Sequence, residues 1–148
     1  MATPADIQNL RALTGAGVMD CKKAFEEAGG NIDEAVKILK EKGLDRAAKR
    51  ADREAGAGIV DAYIHQDKIG VLLELNSETD FVARTNEFKE LAHNLSMQVA
   101  AMNPESVEAL LAENYIRDDS KTVSDLINDV IAKTGENIKV GRFIRYEL

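Results

Sequence analysis

The chain has 148 residues, of which 45 % are hydrophobic and 30 % are charged, a size that predicts one ordinary domain or a very small domain followed by a medium one. No apolar run approaches the ~20 residues of a membrane-spanning helix, and the single cysteine, Cys21, excludes an internal disulfide. The net charge of −7 belongs to residues 56–148, with nine basic and sixteen acidic side chains, whereas residues 1–55 have ten of each. An acidic main body is a poor surface for nucleic acid, so we expect no direct contact with it. We expect a cytoplasmic location, because the first residues show neither a basic start nor an apolar signal segment.

Residues 5–42 are predicted to form three short helices, because apolar residues recur there at helical spacing in three groups. The glycines at 15 and 17 and the pair at 29 and 30 separate these groups, Asn31 can cap the third helix, and Gly43 is predicted to end it. Such a module is near the ~40 residues below which an independent core is rare. We therefore expect residues 1–43 to form a tight bundle of the ubiquitin-associated type, a binding fold without an active site.

The start of the second helix carries two apolar residues, Val18 and Met19, which belong either to the core or to an apolar contact patch. Lys22 and Lys23 follow, and a pair of this kind usually forms a solvated face. The glycines before Val18 do not predict a phosphate-binding loop, because they follow a helix and lack a downstream Gly-Lys-Ser/Thr.

Residues 44–56 are predicted to form a linker helix that joins the helical module to a second domain. Basic residues recur at helical spacing from Arg46 to Arg53, but acidic residues are interleaved with them, which favours a connecting helix over a nucleic-acid-binding stripe. Gly56 and Gly58 mark the boundary with the second domain, residues 57–148.

Residues 58–65 and 69–76 predict a β-hairpin, since both are rich in β-branched and apolar residues and are separated by three polar residues. Alternation predicts a cross-strand set on one face, composed of Val60, Ala62, Ile64, Ile69, Val71, Leu73 and Leu75. The opposite face is partly apolar, with Ile59, Tyr63 and Leu72.

The remainder predicts helices and one more strand. An apolar stripe over 88–102 predicts a long helix ended by Asn103 and Pro104, followed by a short helix over 105–113 and a polar connection over 115–121. Thr122 is predicted to cap a helix that Gly135 stops, and a strand follows over 137–146, in which a bulge at Gly141 would return Phe143 to the core side. The predicted fold class is α+β: a three-stranded antiparallel sheet packed with helices, after the helical module and linker helix.

The corner between the second strand and the long helix contains Thr79, a plausible helix N-cap, and Asp80, which the helix dipole favours in the first turn. Phe81 has little to pack against in one short turn. It either folds back under the strand or projects as an anchor for a partner.

The sequence gives little support to an enzyme. His65 and His93 have no cysteine, serine or aspartate at nucleophile or metal-ligand spacing, and Cys21 lies in an apolar helical stripe. We expect a protein-binding module with no catalytic residues, bound metal or cofactor.

Two stretches resemble the signature sequences of the bacterial translation elongation factor Ts family. Residues 79–84 (TDFVAR) look like one motif, and residues 10–24 (LRALTGAGVMDCKKA) look like the N-terminal motif. The similarity continues through residues 47–49 and 58–60 and resumes at 135–138, so it covers most of the chain. Two long motifs in the right order are hard to obtain by chance.

The resemblance implies a guanine nucleotide exchange factor for elongation factor Tu that promotes GDP release by displacing Mg²⁺ and the phosphate loop. It implies binding to both the GDP form and the nucleotide-free form of that partner. The residues implied to press on its GTPase domain near Mg²⁺ are Thr79, Asp80, Phe81 and Val82. The residues of the N-terminal module implied to dock on another helix of that domain are Val18, Met19, Lys22 and Lys23.

The chain departs from the family pattern in four places. Ser77 stands where many members have cysteine, and Gly141 replaces a usual arginine. The segment 104–122 lacks a long helical insertion, and there is a single core subdomain where longer members have two. The resemblance to members with one core subdomain, together with the partly apolar second sheet face, predicts a homodimer.

An alternative function belongs to a different class of protein. The ubiquitin-associated-like module could recruit an unrelated protein, which would make the chain a non-catalytic interaction adaptor with the acidic domain as its scaffold. Release of GDP from elongation factor Tu distinguishes the two functions.

Overall fold

The computed structural model describes residues 1–148. The chain forms two compact units, Met1–Arg50 and Ala51–Leu148. None of the helices is both long enough and apolar enough to cross a membrane. The helices are α1 (Pro4–Thr14), α2 (Val18–Glu27), α3 (Ile32–Arg50), α4 (Asp80–Ala83), α5 (Asn86–Met102), α6 (Val107–Ala112) and α7 (Val123–Thr134). The strands are β1 (Ala57–His65), β2 (Ile69–Ser77), β3 (Asn114–Tyr115), β4 (Asp118–Thr122) and β5 (Lys139–Glu147).

The first unit is a bundle of the three predicted helices. Thr3 caps α1 in a reciprocal arrangement with Asp6, in which the Asp6 N–H donates to the Thr3 hydroxyl over 3.2 Å and the Thr3 N–H donates to the Asp6 carboxylate over 3.0 Å. Gly15 ends α1 with a φ of 71°, a left-handed conformation that glycine adopts without strain. The buried side chains of the bundle are Leu10, Cys21, Ala24, Phe25, Ala35 and Leu39.

The prediction that Gly43 ends the third helix is wrong, because α3 continues through it to Arg50. Gly43 is not among the residues with positive φ, so it does not form a helix-terminating cap. Helix α3 is tied to α2 on both sides of Gly43, by Lys42 to Glu27 over 3.2 Å and by Arg46 to Asp20 over 2.9 Å. These contacts offset the ~1 kcal/mol that a glycine costs inside a helix, and residues 44–50 extend α3 instead of starting a new helix.

The second unit is a three-stranded antiparallel sheet in the order β1-β2-β5, with helices packed on it. Helix α5 crosses β1 and β2, α7 packs against α5, and α6 contacts β5 and α7. Antiparallel pairing with one face covered by helices is the α+β class, which confirms the predicted fold class.

The predicted faces of the hairpin are correct for β2, where Val71, Leu73 and Leu75 are buried and Leu72 is exposed, but they are inverted for β1. Ile59 lies opposite Leu75 and Tyr63 lies opposite Val71, and residues directly opposite share a face. The buried face of β1 therefore carries Ile59 and Tyr63. The other face exposes the residues that were predicted to share a face with Val71, Leu73 and Leu75, namely Val60, Ala62 and Ile64.

The turn sets this register. Gln66 and Asp67 have φ values of 49° and 59°, and the Lys68 N–H donates to the His65 carbonyl over 3.0 Å. Apolar residues occupy both sets of alternate positions in β1, so the alternation alone did not determine which set is buried.

The predicted bulge at Gly141 is confirmed. Glu74 pairs with Arg142 and Leu75 pairs with Val140, which leaves Gly141 unpaired in β5. The extra residue places Phe143 opposite Leu73 on the buried face.

The segment 115–121, predicted as a polar connection, contributes to a small antiparallel pair, β3 with β4. The fully buried side chain of Gln98 in α5 holds this hairpin. Its amide donates to the Asn114 carbonyl over 3.0 Å and its oxygen accepts from the Ile116 N–H over 3.0 Å. Because this anchor lies outside the hairpin sequence, the pattern of residues 115–121 alone did not indicate it.

The helix ends predicted at Asn103, Thr122 and Gly135 form in the second unit, and Thr85 provides a further cap. Thr122 caps α7 together with Asp125, and Gly135 ends it with a φ of 76°. Thr85 caps α5, and Asn103 ends it in a left-handed conformation. The short predicted helix over 105–113 forms over a narrower range, as α6.

Candidate partner-binding site

The corner between β2 and α5 is a four-residue helix, α4, capped by Thr79. The Thr79 hydroxyl accepts from the Val82 N–H over 3.4 Å, and the Thr79 carbonyl accepts from the Ala83 N–H over 3.3 Å. Asp80 begins the helix, at the end that favours a negative charge. The predicted cap therefore forms, and it holds the next two residues in a single helical turn.

Phe81 projects from this turn with 86 % of its surface exposed. The two residues after it, Val82 and Ala83, are buried, so the turn is fastened to the core on one side and presents the aromatic ring on the other. Of the two alternatives for Phe81, packing beneath the strand is excluded. Among the four predicted site residues of the corner, only Val82 is buried.

Glu136, which lies 57 positions after Thr79 in the sequence, forms hydrogen bonds with this cap residue. One carboxylate oxygen accepts from the Thr79 N–H over 3.0 Å, and the other accepts from the Thr79 hydroxyl over 2.7 Å. The buried Ser77 hydroxyl donates to the Thr79 carbonyl over 2.9 Å. Sequence reasoning used residues 135–138 only as a motif and assigned Glu136 no role. The only feature of the sequence that could have indicated this role is the position of Glu136, an acidic residue directly after a helix-ending glycine.

A second contact joins the same two segments. The Asn137 N–H donates to the Glu78 carboxylate over 2.7 Å, and the guanidinium of Arg53 lies 3.6 Å from that carboxylate. The buried Asn137 amide donates to the carbonyls of Arg53 and Ala51, over 2.8 and 3.3 Å. Residues 51–53 are thereby fastened to the loop between α7 and β5.

The predicted site of the first unit occupies the exposed face of α2. Val18 and Met19 are both exposed, with Met19 at 61 %, so of the two alternatives left open they are surface residues. Lys22 and Lys23 lie one turn further on and are also exposed. Residues four apart are neighbours on a helix surface, so the four side chains form one apolar patch with a basic margin.

Asp20 lies within this helix and is held by Arg46 through two hydrogen bonds of 2.9 Å. The guanidinium of Arg46 keeps the pKa of the Asp20 carboxyl below its ordinary value. The two hydrogen bonds between Arg46 and Asp20 connect α3 to this side of α2.

The titratable groups of the sheet form hydrogen bonds within the fold. The Tyr63 hydroxyl lies 2.7 Å from Nδ1 of His65, and Nδ1 of His93 lies 3.1 Å from the Asp61 carboxylate. Cys21, in the first unit, is fully buried, and burial raises the pKa of its thiol. A buried, protonated thiol is a poor nucleophile. No group of three or more His, Cys, Asp or Glu side chains is arranged to hold a metal ion.

Comparison with known proteins gives matches over the whole chain. The family model described as "Elongation factor TS" matches residues 78–148, which include the corner, α5, α7 and β5. A curated elongation factor Ts from Thermotoga petrophila is 48 % identical, and the alignment covers 96 % of this chain and 94 % of the relative. The corresponding protein from Moorella thermoacetica is 43 % identical over 100 % of this chain and 96 % of its own length.

The alignment with the Thermotoga petrophila protein extends over 186 positions, although this chain has 148 residues. The relative therefore has residues that this chain lacks, while nearly all of this chain finds a counterpart. An elongation factor Ts from Coprothermobacter proteolyticus gives a similar result, with 43 % identity over 96 % of this chain. With this identity over almost its full length, the chain belongs to the elongation factor Ts family, a family of translation elongation factors.

Proposed function

We propose that this chain is a guanine nucleotide exchange factor for elongation factor Tu, and that it promotes GDP release by displacing Mg²⁺ and the phosphate loop. The observation that carries the proposal is the exposure of Phe81, 86 %, in a turn whose next two residues are buried. A large aromatic side chain on a fixed backbone is suited to fill a pocket in a partner, and such residues dominate binding energy. In this role the chain makes and breaks no covalent bond, and it acts in the cytoplasm.

Exchange by this route is a consequence of linked equilibria. A protein that binds the nucleotide-free form of a GTPase more tightly than the GDP form must weaken GDP binding by the same factor. Mg²⁺ neutralises the phosphates of the nucleotide, so a residue that disturbs the ion site lowers the affinity for GDP. The chain would bind both forms, with the nucleotide-free form preferred.

The corner residues have different roles in this proposal. Phe81 would enter the GTPase domain as the wedge, with Asp80 beside it at the exposed start of α4. Thr79 and Val82 would act by holding the turn, because Thr79 has its polar groups engaged and Val82 is buried.

The exposed face of α2 is proposed as the second contact with the GTPase domain. Val18 and Met19 would supply apolar area, and Lys22 and Lys23 would meet acidic side chains of the partner at its margin. Two contacts on one chain raise affinity because the second is made within an existing complex. We propose residues 1–43 as a ubiquitin-associated-like module, 44–56 as a linker whose first part is the end of α3, and 57–148 as the core domain.

The proposal is tested with purified elongation factor Tu loaded with a fluorescent GDP, chased with unlabelled GDP. Addition of this chain should accelerate the release of the fluorescent nucleotide. Prior removal of Mg²⁺ with a chelator should accelerate spontaneous release and reduce the factor by which the chain stimulates it. An unchanged release rate at all concentrations of the chain would contradict the proposal and leave the adaptor function.

The chain is also proposed to form a homodimer through the uncovered face of its sheet. The large apolar side chains on this face are each more than half exposed: Val60, Ile64, Leu72, Ile144 and Tyr146. Leu72 lies opposite both Ala62 and Ile144, which makes a continuous apolar row across the three strands. A contiguous apolar surface of this kind is typical of an interface.

The occupant that suits this face is a second copy of the same face. Its charged pair, Glu74 and Arg142, lies in the row next to Leu72, and the two side chains approach to 3.4 Å, so their charges offset each other within the face. Tyr63, predicted on this face, belongs to the covered one and plays no part in the proposal.

Sedimentation equilibrium tests the dimer across micromolar concentrations. The expected mass is twice the 16.2 kDa of one chain, and Leu72→Asp should lower it to that of the monomer. Ile116→Asp, at an exposed apolar residue outside the sheet, is the matched control and should leave the dimer intact. A mass of 16.2 kDa for the unmodified chain throughout would refute the dimer.

A further inference from the structure

Thr79 is held at each of its polar groups. Its N–H and hydroxyl donate to the two oxygens of the Glu136 carboxylate, over 3.0 and 2.7 Å. Its hydroxyl also accepts from the Val82 N–H, and its carbonyl accepts from the hydroxyl of Ser77. Hydrogen bonds to a carboxylate are stronger than those between neutral groups. Glu136 is thus the strongest single constraint on the cap residue.

Helix α4, which begins after this cap, is too short to be stable on its own. Helix α4 has four residues, and a helix of one turn is unstable alone because its nucleation is costly. The Phe81 side chain lies in solvent and adds no packing that would fix its direction. The direction of the ring therefore depends on the backbone of the turn, which is set by the cap at Thr79 and by the burial of Val82 and Ala83.

Glu136 is itself well placed to act as an anchor. It follows Gly135, the left-handed residue that ends α7, and its N–H donates to the Thr134 hydroxyl over 3.3 Å. The next residue, Asn137, is buried and bound to the Glu78 carboxylate through its N–H. The backbone that carries the Glu136 side chain is thus held by the end of α7 on one side and by the start of the β5 segment on the other.

We propose that Glu136 is a positioning residue for nucleotide exchange, whose carboxylate fixes Thr79 and thereby sets the direction in which Phe81 enters the partner. This inference rests on the proposed exchange function. A wedge that is already oriented loses less conformational freedom on binding, so orientation contributes to the rate of displacement and not only to attachment. Glu136 acts through Thr79, and it needs no contact with the partner itself.

The first test measures the ring direction in the free chain. The chain has no tryptophan, so Phe81→Trp introduces a single fluorescent reporter at the wedge. Adding Glu136→Ala should lower the fluorescence anisotropy of this tryptophan, because the turn loses its anchor. Glu136→Gln should have an intermediate effect, since its amide oxygen still accepts from the Thr79 N–H but its NH₂ group cannot accept from the hydroxyl. Unchanged anisotropy in Glu136→Ala would overturn the proposal.

The second test measures exchange with Phe81 in place. Glu136→Ala should lower the maximal GDP-release rate by about tenfold, the factor that corresponds to one charged hydrogen bond. The half-saturating concentration should change less, and Glu136→Gln should recover part of the rate. Glu105→Ala, at an exposed glutamate before α6, is the matched control and should retain the full rate.

The two tests separate this inference from the proposed function. If the unmodified chain does not stimulate GDP release, the exchange function fails, and the anisotropy still decides whether Glu136 anchors the turn. If the chain stimulates release but Glu136→Ala matches it in maximal rate, the positioning role is refuted. Should Glu136→Ala fail to fold, Glu136→Gln is compared in the Thr79→Val background. If Glu136 acts through Thr79, Glu136→Gln should lower the maximal GDP-release rate by a smaller factor in the Thr79→Val background than in the wild type. An equal factor in both backgrounds would refute the positioning role.

Discussion

Replacement of Phe81 by alanine tests the proposed wedge most directly. Because 86 % of the residue is exposed, its removal takes little from the core, and the free energy of unfolding should change by no more than about 0.5 kcal/mol. The same exposure makes nearly the whole ring available for burial in a partner. Full burial of a phenylalanine side chain contributes about 2 kcal/mol. Stimulated GDP release by Phe81→Ala should therefore be slower by tenfold or more, since 1.4 kcal/mol corresponds to about a factor of ten.

The assay follows a fluorescent GDP leaving elongation factor Tu, in parallel with thermal melting of the free variant. Ile116→Ala serves as the matched control, because it also truncates an exposed apolar side chain in the second unit and should preserve the release rate. Release at the wild-type rate by a fully folded Phe81→Ala would refute the wedge. A large decrease in the melting temperature of Phe81→Ala would instead contradict the exposure of Phe81 in the free chain.

Three further predictions concern the two units and two backbone glycines. A chain reduced to residues 51–148 should fold, because this range keeps the carbonyls bound by Asn137, but it should need a higher concentration for half-maximal exchange; undiminished half-saturation would show that the first unit adds no affinity. Gly58→Ala should lower the free energy of unfolding by about 3 kcal/mol, because Gly58 has a φ of 149° and an added Cβ would strike a carbonyl of the neighbouring strand. Gly43→Ala should raise the free energy of unfolding by up to ~1 kcal/mol, since nothing lies within 4 Å of an added Cβ in that helix interior. Chemical denaturation of both glycine variants checks the opposite signs, and equal signs would contradict this account.

The sequence was most informative where a local signal acts alone. Helix α7 begins after Thr122 and ends at Gly135 as predicted, because capping depends mainly on the residue at the helix end. The bulge at Gly141 was also predictable, since Val140 and Phe143 can share a face only if one residue is skipped. These features needed no knowledge of the rest of the chain.

Prediction failed where distant contacts decide the outcome. Gly43 was predicted to end a helix, but α3 continues through it to Arg50 and forms ion pairs with α2 on both sides of it. The faces of β1 were inverted because both sets of its alternate positions carry apolar residues, and the turn geometry chose between them. Glu136 lies 57 positions from Thr79, and no local pattern connects them. The exposure of Phe81 was left open by its neighbours and is fixed by the burial of Val82 and Ala83.

The anchoring of the β3–β4 hairpin by Gln98 bears on how this segment can change in length. Gln98 forms hydrogen bonds with the backbone at Asn114 and Ile116, which attach the hairpin to α5. This attachment does not depend on the length of the loop that follows Ile116. The entropy of closing a loop rises only logarithmically with its length, by about 0.6 kcal/mol for each doubling. Residues added at the exposed tip beyond Ile116 would thus leave α5 and α7 undisturbed, which makes this tip the natural place to insert an affinity tag or a spectroscopic label.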